Sequence, residues 1–473
     1  MCRNFKKIIS VLLILSLLAV CGCTKETEEP NVPTTDELIA SQYNDLITDA
    51  GSETDADKII DYVRGWAEDN DISCETASNG SLVMKFKASK DCGEYPSTAL
   101  HCSISGTDNE NEMQYLAVMM YAVTHLDKHG ELSAIVSPAD TKADIDRKYI
   151  KTDNFINLEY SEDDLSLLTS CAASSKYRLS HRINYTSPRY DTAYRITIKN
   201  LKGGKVSGLE EGHPNPLLNI NSILANFKTN GLLYDLADFS GGSSSDSYGT
   251  GASAVVVISR SDAESFEKRL DKAIAKFDKK WGDLEDSYEF SYEQTDMPSQ
   301  VMTPDSASDI VSLFYTMISG VYLTDEDTNE TVAYTNIGRL TIKNSIASVR
   351  IKAASKSYPT LTEMDDAVKT IAEISNFRYK KTYSSVLWKE YENRGLLGSF
   401  QFAAEEITGN KIAETSTFET HLCGVLKDRN NSLSLLSFGL NYNCWDDAAN
   451  TVIEFLEDIT AADIVSQYFG SNS

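Results

Sequence analysis

The chain has 473 residues, of which 41% are hydrophobic and 24% charged, the usual balance for a globular protein of two or three domains. Acidic residues number 70 and basic residues 44, so the formal net charge is −26. Since a surface of that charge repels nucleic acid and anionic lipid headgroups, we expect no nucleic-acid partner and no membrane contact through a basic patch.

The N-terminus has the composition of a lipoprotein signal peptide. Three basic residues precede an apolar stretch at 8–20 that is too short to span a bilayer comfortably. Gly22 is a small residue directly before Cys23, as lipoprotein processing requires. We therefore predict a signal peptide over 1–22, a lipid on Cys23 and a polar tether over 23–36. The lipid would hold the protein on the extracytoplasmic face of the cell membrane. The alternatives are an ordinary secretory signal and an uncleaved anchor.

The first part of the folded chain alternates between helix and strand patterns. Thr34 and Glu37 form a capping box that opens a helix to about Thr48. Apolar spacing then predicts a helix at 55–69, strands at 81–87 and 98–105, a helix at 111–127, and strands at 133–137 and 155–158. This alternation is typical of an open sheet with helices on its faces.

From about residue 176 the pattern changes to a β-α-β-β-α run of the ferredoxin-like kind. Its predicted elements are a strand at 194–201, a helix at 216–228, strands at 232–239 and 253–259, and a helix at 262–281. A second round has a helix at 307–322, strands at 338–343 and 347–352, and a helix at 361–375. Helix and strand patterns return after 384 and end in an amphipathic segment at 451–469. We therefore predict one domain, at 37–178 and 381–473, that is interrupted by another at 179–380.

Several short segments, spread in order between residues 59 and 424, carry a family resemblance that covers almost all of residues 36–460. They read I-I-D-Y-V-R-G-W-A-E at 59–68, L-K-G-G-K-V-S-G at 201–208, L-A-D-F-S-G-G at 236–242, T-N-I-G at 335–338 and L-C-G at 422–424. The chain resembles the aminoacyl-histidine dipeptidases, the peptidase D group of di-zinc metallopeptidases. The resemblance implies an α/β di-zinc-exopeptidase-like domain, with a mostly parallel sheet and helices on both faces. A large α+β lid domain would interrupt it, and a homodimer could form through the lid.

The same resemblance shows that most catalytic positions have changed. The family holds two zinc ions with two histidines and three carboxylates, and a glutamate activates the bridging water. Here Ser103 and Ser105 stand at the first His and Asp, and Pro138-Ala139 stands at the general base. Asp108, in G-T-D-N, is the one ligand that keeps its motif.

The remaining metal positions match only loosely. Asp140 matches a ligand position with a shift, Glu159 lies near the next one, and Cys444 lies near the last histidine. His101 is two residues early on its strand, where a structural role is the more common one. In the lid, Lys205 replaces a histidine and Asp246 an asparagine that meets the substrate. The arginine for the substrate carboxylate is replaced around Lys352.

Two hypotheses for function follow. In the first, the protein is a catalytically inactive lipoprotein that needs no cofactor and binds a peptide, another acidic ligand or a partner protein in the cleft between its domains. Lys205 and Asp246 would then contact the ligand. In the second, it is an active zinc dipeptidase with a rearranged site on Asp108, Glu159 and Asp140, completed by His101 or Cys444. Convergence of these side chains on one point would favour the second.

Overall fold

The computed structural model describes residues 33–162, 164–206, 212–390 and 395–458. The predicted signal peptide, Cys23 and most of the tether lie outside the described residues, as does the tail beyond 458. The described chain forms two large mixed sheets, and each has nine strands.

The first sheet, which we call the N-terminal sheet, has the strand order β1-β2-β4-β3-β5-β22-β6-β20, with β21 beside β6. Its strands are β1 (Ser73–Thr76), β2 (Leu82–Phe86), β3 (Thr98–Ile104), β4 (Leu132–Pro138), β5 (Asn154–Tyr160), β6 (Ser166–Cys171), β20 (Trp388–Lys389), β21 (Ala413–Thr417) and β22 (Ser434–Leu440). Its centre is parallel, since β3 pairs with β4 and β5, and β5 with β22. Antiparallel strands flank this centre.

Helices cover both faces of the N-terminal sheet, as predicted. One face packs on α1 (Thr35–Asp49), α2 (Ala56–Asp69), α3 (Asn109–Thr124), α8 (Leu396–Thr408) and α10 (Trp445–Asp458). The other face packs on α9 (Leu422–Arg429). The predicted capping box is present, because Thr34 and Glu37 each accept a hydrogen bond from the other's backbone N–H. Residues 59, 63 and 67 of α2 are buried, which is the spacing of a helix with one apolar face.

The second sheet, which we call the lid sheet, has the order β14-β9-β13-β11-β17-β18-β7-β19, with β16 beside β17. Its strands are β7 (Ala173–Arg182), β9 (Thr192–Lys199), β11 (Tyr234–Gly242), β13 (Ala252–Ile258), β14 (Glu289–Thr295), β16 (Gly320–Thr324), β17 (Thr331–Lys343), β18 (Ile346–Ser355) and β19 (Arg378–Ser385). Two short pairs, β8 (Tyr185–Thr186) with β15 (Val301–Met302) and β10 (Gly204–Lys205) with β12 (Ser247–Tyr248), lie beside it. The chain passes from one sheet to the other after Cys171 and returns before Trp388. The predicted domain limits at 179 and 380 remain a prediction.

Four helices pack on one face of the lid sheet: α4 (Pro216–Thr229), α5 (Ala263–Trp281), α6 (Pro304–Thr316) and α7 (Tyr358–Ile374). The helix predicted at 307–322 is too long. The observed helix α6 ends at Thr316, and β16 occupies the last residues of the predicted range. The apolar spacing of Ile318 and Tyr322 continues the helical pattern. However, Gly320 has a φ of 116°, and pairing with β17 provides the backbone partners.

The glycines that end two recognised motifs each lie directly against the backbone of a neighbouring segment. Gly242 ends D-F-S-G-G and has a φ of 69°, and Gly338 ends T-N-I-G in the strand beside it. A Cβ atom on Gly338 would lie 1.8 Å from the carbonyl oxygen of Ser244, and one on Gly242 would lie 2.1 Å from the carbonyl oxygen of Gly338. The end of β11 and the segment after it therefore approach β17 at a distance that a side chain would prevent.

No helix in the described part of the chain combines the length and apolar character that a membrane span needs.

Candidate functional site

The carboxyl ends of parallel strands β3, β4 and β5 meet at one edge of the N-terminal sheet, where open α/β sheets commonly bind ligands. His101 lies on β3, three residues before this edge, and is fully buried. Its Nδ1–H donates to the Oδ1 of Asn157 at 2.8 Å, and Ser137 donates its hydroxyl to Nε2 at 3.0 Å. Burial lowers the pKa of His101 to about 4, so the imidazole is neutral at pH 7. Both ring nitrogens of this neutral imidazole are engaged by protein groups.

The two serines that stand at the first metal ligands have protein partners. Ser105 donates both its backbone N–H and its hydroxyl to the carboxylate of Glu112, which is buried and also accepts from the N–H of Gly106. The ammonium of Lys142 lies 3.4 Å from the hydroxyl oxygen of Ser103. A cation of the protein therefore faces the place where the resemblance implies a metal ligand.

Glu159 is paired with a histidine that the sequence did not single out. The Nε2–H of His421 donates to the Glu159 carboxylate at 3.2 Å, and the Nδ1 of His421 accepts from the N–H of Cys423. Burial by itself raises the pKa of Glu159, but the hydrogen bond and charge of His421 outweigh it, and the pKa is lowered. Glu159 is therefore held as a carboxylate within this pair.

The other candidate ligands lie at the surface or are held by backbone groups. Asp108 is exposed at the start of α3, where the side-chain amide of Asn111 donates to it at 3.0 Å. Asp140 is exposed in the turn after β4. The thiol of Cys444 is buried against the backbone of Asn441, and burial raises its pKa.

Among the described residues, no three or more His, Cys, Asp and Glu side chains are grouped so that they could hold a metal ion. The donor chemistry also does not suit a zinc ion at this edge. A catalytic zinc needs three protein ligands with lone pairs available. Here the lone pair of the His101 imidazole accepts from Ser137, and the ammonium of Lys142 would repel a dication. The residues present therefore do not fit the di-zinc centre that the resemblance implies.

A group of lysines from the lid sheet and the neighbouring β10–β12 pair lies near the junction of the two large sheets. Asp246, in the loop before β12, lies 2.8 Å from the ammonium of Lys176 and 3.4 Å from that of Lys352. Burial alone raises the pKa of Asp246, but the two lysines outweigh it and the pKa is lowered. Lys205 lies in β10, where it pairs with Ser247, the residue that follows Asp246. Its side chain is 79% exposed, and its ammonium lies 3.9 Å from the carboxylate of Glu419. We call Lys176, Lys205 and Lys352 with Asp246 the lysine cluster.

An aromatic side chain from the lid sheet and one from the chain just after β21 pack beside the lysine cluster. Tyr334, on β17, contacts the ring of Phe418 from the chain after β21, with ring centres 5.2 Å apart. The ammonium of Lys352 lies 5.9 Å from the centre of the Tyr334 ring, and its side chain is only 9% exposed. The cluster thus lies where the two sheets meet, with an apolar wall behind it.

This arrangement of two sheets is shared with solved structures. Aminoacylhistidine dipeptidase from Vibrio alginolyticus matches with a TM-score of 0.75 over 90% of this chain and 98% of that chain, at 15% sequence identity. The chain has the fold of that dipeptidase. The aminopeptidase PepT from Bacillus cereus matches with a TM-score of 0.50 over 89% of this chain and 98% of that chain, at 11% identity. No protein-family model and no curated protein matches the sequence. The predicted fold class is confirmed, and likeness at this level of identity is a likeness of fold.

Sequence reasoning missed the partners of the residues that it named. His421, Lys142, Glu112 and Lys176 each contact a candidate residue. Only Glu112 had a local signal, since an acidic side chain in the first turn of a helix can accept from the backbone N–H groups that precede it. The other three contacts join distant parts of the chain, and no short motif marks them.

Proposed function

We propose that the protein is a non-catalytic relative of the dipeptidase fold. It would bind a small anionic ligand, such as a short peptide through its carboxylate, at the lysine cluster between the two sheets. The observation that supports this most directly is the pair of ammonium groups, from Lys176 and Lys352, on the single carboxylate of Asp246. Two cations on one anion leave a net positive charge at the site.

The surroundings of Lys352 favour a second anion. Its side chain is almost buried, so water stabilises the ammonium less than it would at the surface. A carboxylate that hydrogen-bonds to a partly desolvated ammonium forms a stronger bond than neutral groups do. The apolar wall of Tyr334 and Phe418 offers a surface for the rest of such a ligand.

The absence of catalysis is supported by the partners of the former catalytic positions. The imidazole of His101, the hydroxyl of Ser105 and the carboxylate of Glu159 each hydrogen-bond to another protein group. The ammonium of Lys142 supplies positive charge near Glu159 without a metal. Such a site can position polar groups, but it lacks the water-activating base that peptide hydrolysis on this fold uses.

Titration calorimetry on residues 24–473 tests the binding proposal with acidic and neutral dipeptides. We expect acidic dipeptides to bind more tightly than neutral ones. Lys352→Met should weaken that binding by about ten- to a hundredfold, because it removes a charge-assisted hydrogen bond. Lys272→Met, an exposed lysine on α5, serves as the charge-matched control and should leave the affinity unchanged.

The same samples, assayed with Zn, Mn or Co, should cleave β-Ala-His, Ala-His and Gly-Gly no faster than buffer. Equal affinity of the wild type and Lys352→Met for every ligand would refute the lysine cluster as the binding site. Metal-dependent turnover that Asp108→Ala abolishes would instead establish an active dipeptidase with a rearranged zinc site.

We also propose that a lipid on Cys23 anchors the protein outside the cytoplasmic membrane, because Gly22-Cys23 follows a basic and then an apolar segment. Cys23→Ala should leave the protein unprocessed or release it from the membrane. Detergent partitioning and mass spectrometry of the N-terminus measure this. An unchanged mass and an unchanged detergent fraction in the variant would contradict lipidation at Cys23.

A further inference from the structure

A row of four basic residues crosses four adjacent strands of the lid sheet. The strand registers place Arg339 of β17 opposite Arg350 of β18, Arg350 opposite Arg178 of β7, and Arg178 opposite Lys380 of β19. The next residue in sequence on a strand points to the opposite face. Leu340, Val349 and Leu179, which adjoin Arg339, Arg350 and Arg178, are buried under the helices. The row therefore lies on the helix-free face of the lid sheet.

Three more basic residues extend this row over the same face. Arg378 lies two residues along β19, Arg182 lies four residues along β7, and Lys343 lies at the corresponding end of β17. We call the seven residues the basic face: Arg178, Arg182, Arg339, Lys343, Arg350, Arg378 and Lys380. All seven are exposed, and none of them forms an ion pair with another described residue. The other residues of these strands that the register places on this face include no acidic one.

The opposite half of the same sheet follows the usual arrangement of charges. There Glu289 of β14 lies opposite Lys199 of β9 with a 2.8 Å ion pair, and Glu293 lies opposite Arg195. Opposite charges across strands are stabilising, and like charges directly opposite each other are destabilising. Acidic residues outnumber basic ones 70 to 44 in the chain, so an all-basic face also runs against the composition. A partner with negative charge would remove the repulsion within the basic face.

From this arrangement we infer that the basic face of the lid sheet docks on an anionic phospholipid surface. Neighbouring strands are about 4.8 Å apart and residues rise about 3.3 Å each, so the seven charges cover an area of about 14 by 13 Å. The charges form a two-dimensional array on an extended sheet, which matches a plane of lipid phosphates. Arginine, which makes up five of the seven, can bind phosphate oxygens in a bidentate manner.

Other features of the basic face favour a membrane over a nucleic acid. Sequence-independent binding of single strands relies on aromatic side chains that stack on bases. The residues within the basic face are instead Ser180, Thr341, Ser348 and Ile346. Ile346 lies between Lys343 and Arg182 and is 45% exposed, so it can enter the headgroup region beside the two cations.

The net charge of the whole chain does not prevent this contact. Charges farther from the membrane than about 8–10 Å are screened at physiological salt, so the face nearest the lipid dominates the interaction. From the net charge alone we expected membrane contact only through a lipid, but net charge does not reveal how the charges are distributed over one face. The inference does not depend on the anchor at Cys23 or on a ligand at the lysine cluster.

Sedimentation with vesicles tests the docking surface. We would use residues 24–473, which contain every described residue and lack the predicted anchor. The protein should bind vesicles with 30% phosphatidylglycerol in phosphatidylcholine and not pure phosphatidylcholine, and higher salt should weaken binding. The triple variant Arg178→Gln/Arg350→Gln/Lys380→Gln should bind about a hundredfold more weakly, because each basic residue near an anionic leaflet contributes. Its melting temperature should not fall, since like charges have been removed.

Two control variants separate charge position from net charge and from folding. Lys268→Gln/Lys272→Gln/Lys279→Gln removes the same charge from the exposed side of α5 and should bind as the wild type does. Arg178→Lys/Arg350→Lys keeps the charge of the row and should retain binding to anionic vesicles. Equal binding of the wild type to both vesicle types, or equal loss in the α5 variant, would overturn the inference. Binding to soluble polyphosphate or single-stranded DNA but not to vesicles would overturn it in favour of a soluble polyanion.

Discussion

Gly338→Ala should lower the free energy of unfolding by about 3 kcal/mol or more, because the added methyl has no space. The new Cβ would lie 1.8 Å from the carbonyl oxygen of Ser244 and 2.6 Å from the Cα of Ser245. Both contacts are with backbone atoms, which cannot turn aside as the end of a flexible side chain can. Relief therefore requires β17 to move away from the segment after β11, where Asn336 also donates to the carbonyl oxygens of Ser245 and Ser247.

Chemical denaturation with urea, followed by circular dichroism, measures this loss of stability. Gly65→Ala is the matched control, because Gly65 lies on the exposed side of α2 and a Cβ there meets nothing within 4 Å. That variant should be more stable by about 0.5–1 kcal/mol, as expected for alanine in place of glycine within a helix. A Gly338→Ala protein as stable as the wild type would show that these two segments do not pack as closely as described.

The second large effect concerns acid and the buried His101. Burial lowers its pKa to about 4, whereas a histidine in the unfolded chain has a pKa near 6.5. Between these values the unfolded state binds a proton that the folded state does not. The contribution of the neutral, buried His101 to the free energy of unfolding is therefore complete above about pH 6.5 and is lost as the pH falls towards 4. The two pKa values correspond to a loss of about 3 kcal/mol between pH 7 and pH 4.

Urea titrations of the wild type and His101→Gln at several pH values isolate this effect from the other titrating groups. The variant should be less stable at pH 7, since it disturbs the bonds to Asn157 and Ser137. The difference between the two proteins should narrow steadily as the pH falls to 4. Ser137→Ala removes one partner but keeps the histidine, so it should lose stability at pH 7 and still show the acid-dependent loss. A difference between wild type and His101→Gln that stays constant from pH 7 to pH 4 would mean that His101 is not buried as a neutral group.

The glycine motifs illustrate how a sequence can indicate a close approach without naming its partner. D-F-S-G-G and T-N-I-G were recognisable as segments of a known fold, and both proved to end in glycines that lack room for a side chain. Their packing against each other could not be read from the chain, because they are about a hundred residues apart and meet only through the register of β11 with β17. Gly242 combines a left-handed backbone with close backbone packing, whereas at Gly338 close packing alone excludes a side chain.

The candidate site shows the same division between local and distant information. The sequence identified Ser103, Ser105 and Lys205 as replacements at known positions, since each lies within a short recognisable motif. It did not identify the Glu159–His421 pair, whose members are 262 residues apart, or the contact of Lys176 with Asp246, which are 70 residues apart. Long-range pairs of this kind have no spacing rule, and several other cations could equally have been the partner.

By itself, the sequence determined the elements whose signals are local. These are the capping box of α1, the amphipathic helices, the change of pattern near residue 176, and the strands β2, β3, β4, β5, β9, β11, β13, β17 and β18, because caps and periodicity act within a few residues. The predicted end of α6 was wrong, since the pairing of β16 with β17 overrode the local helical pattern. Only the tertiary structure decided which charges share a face. Arg178, Arg339, Arg350 and Lys380 form a row solely because four strands pair in one register. A shift of any strand by one residue would move its side chains to the opposite face.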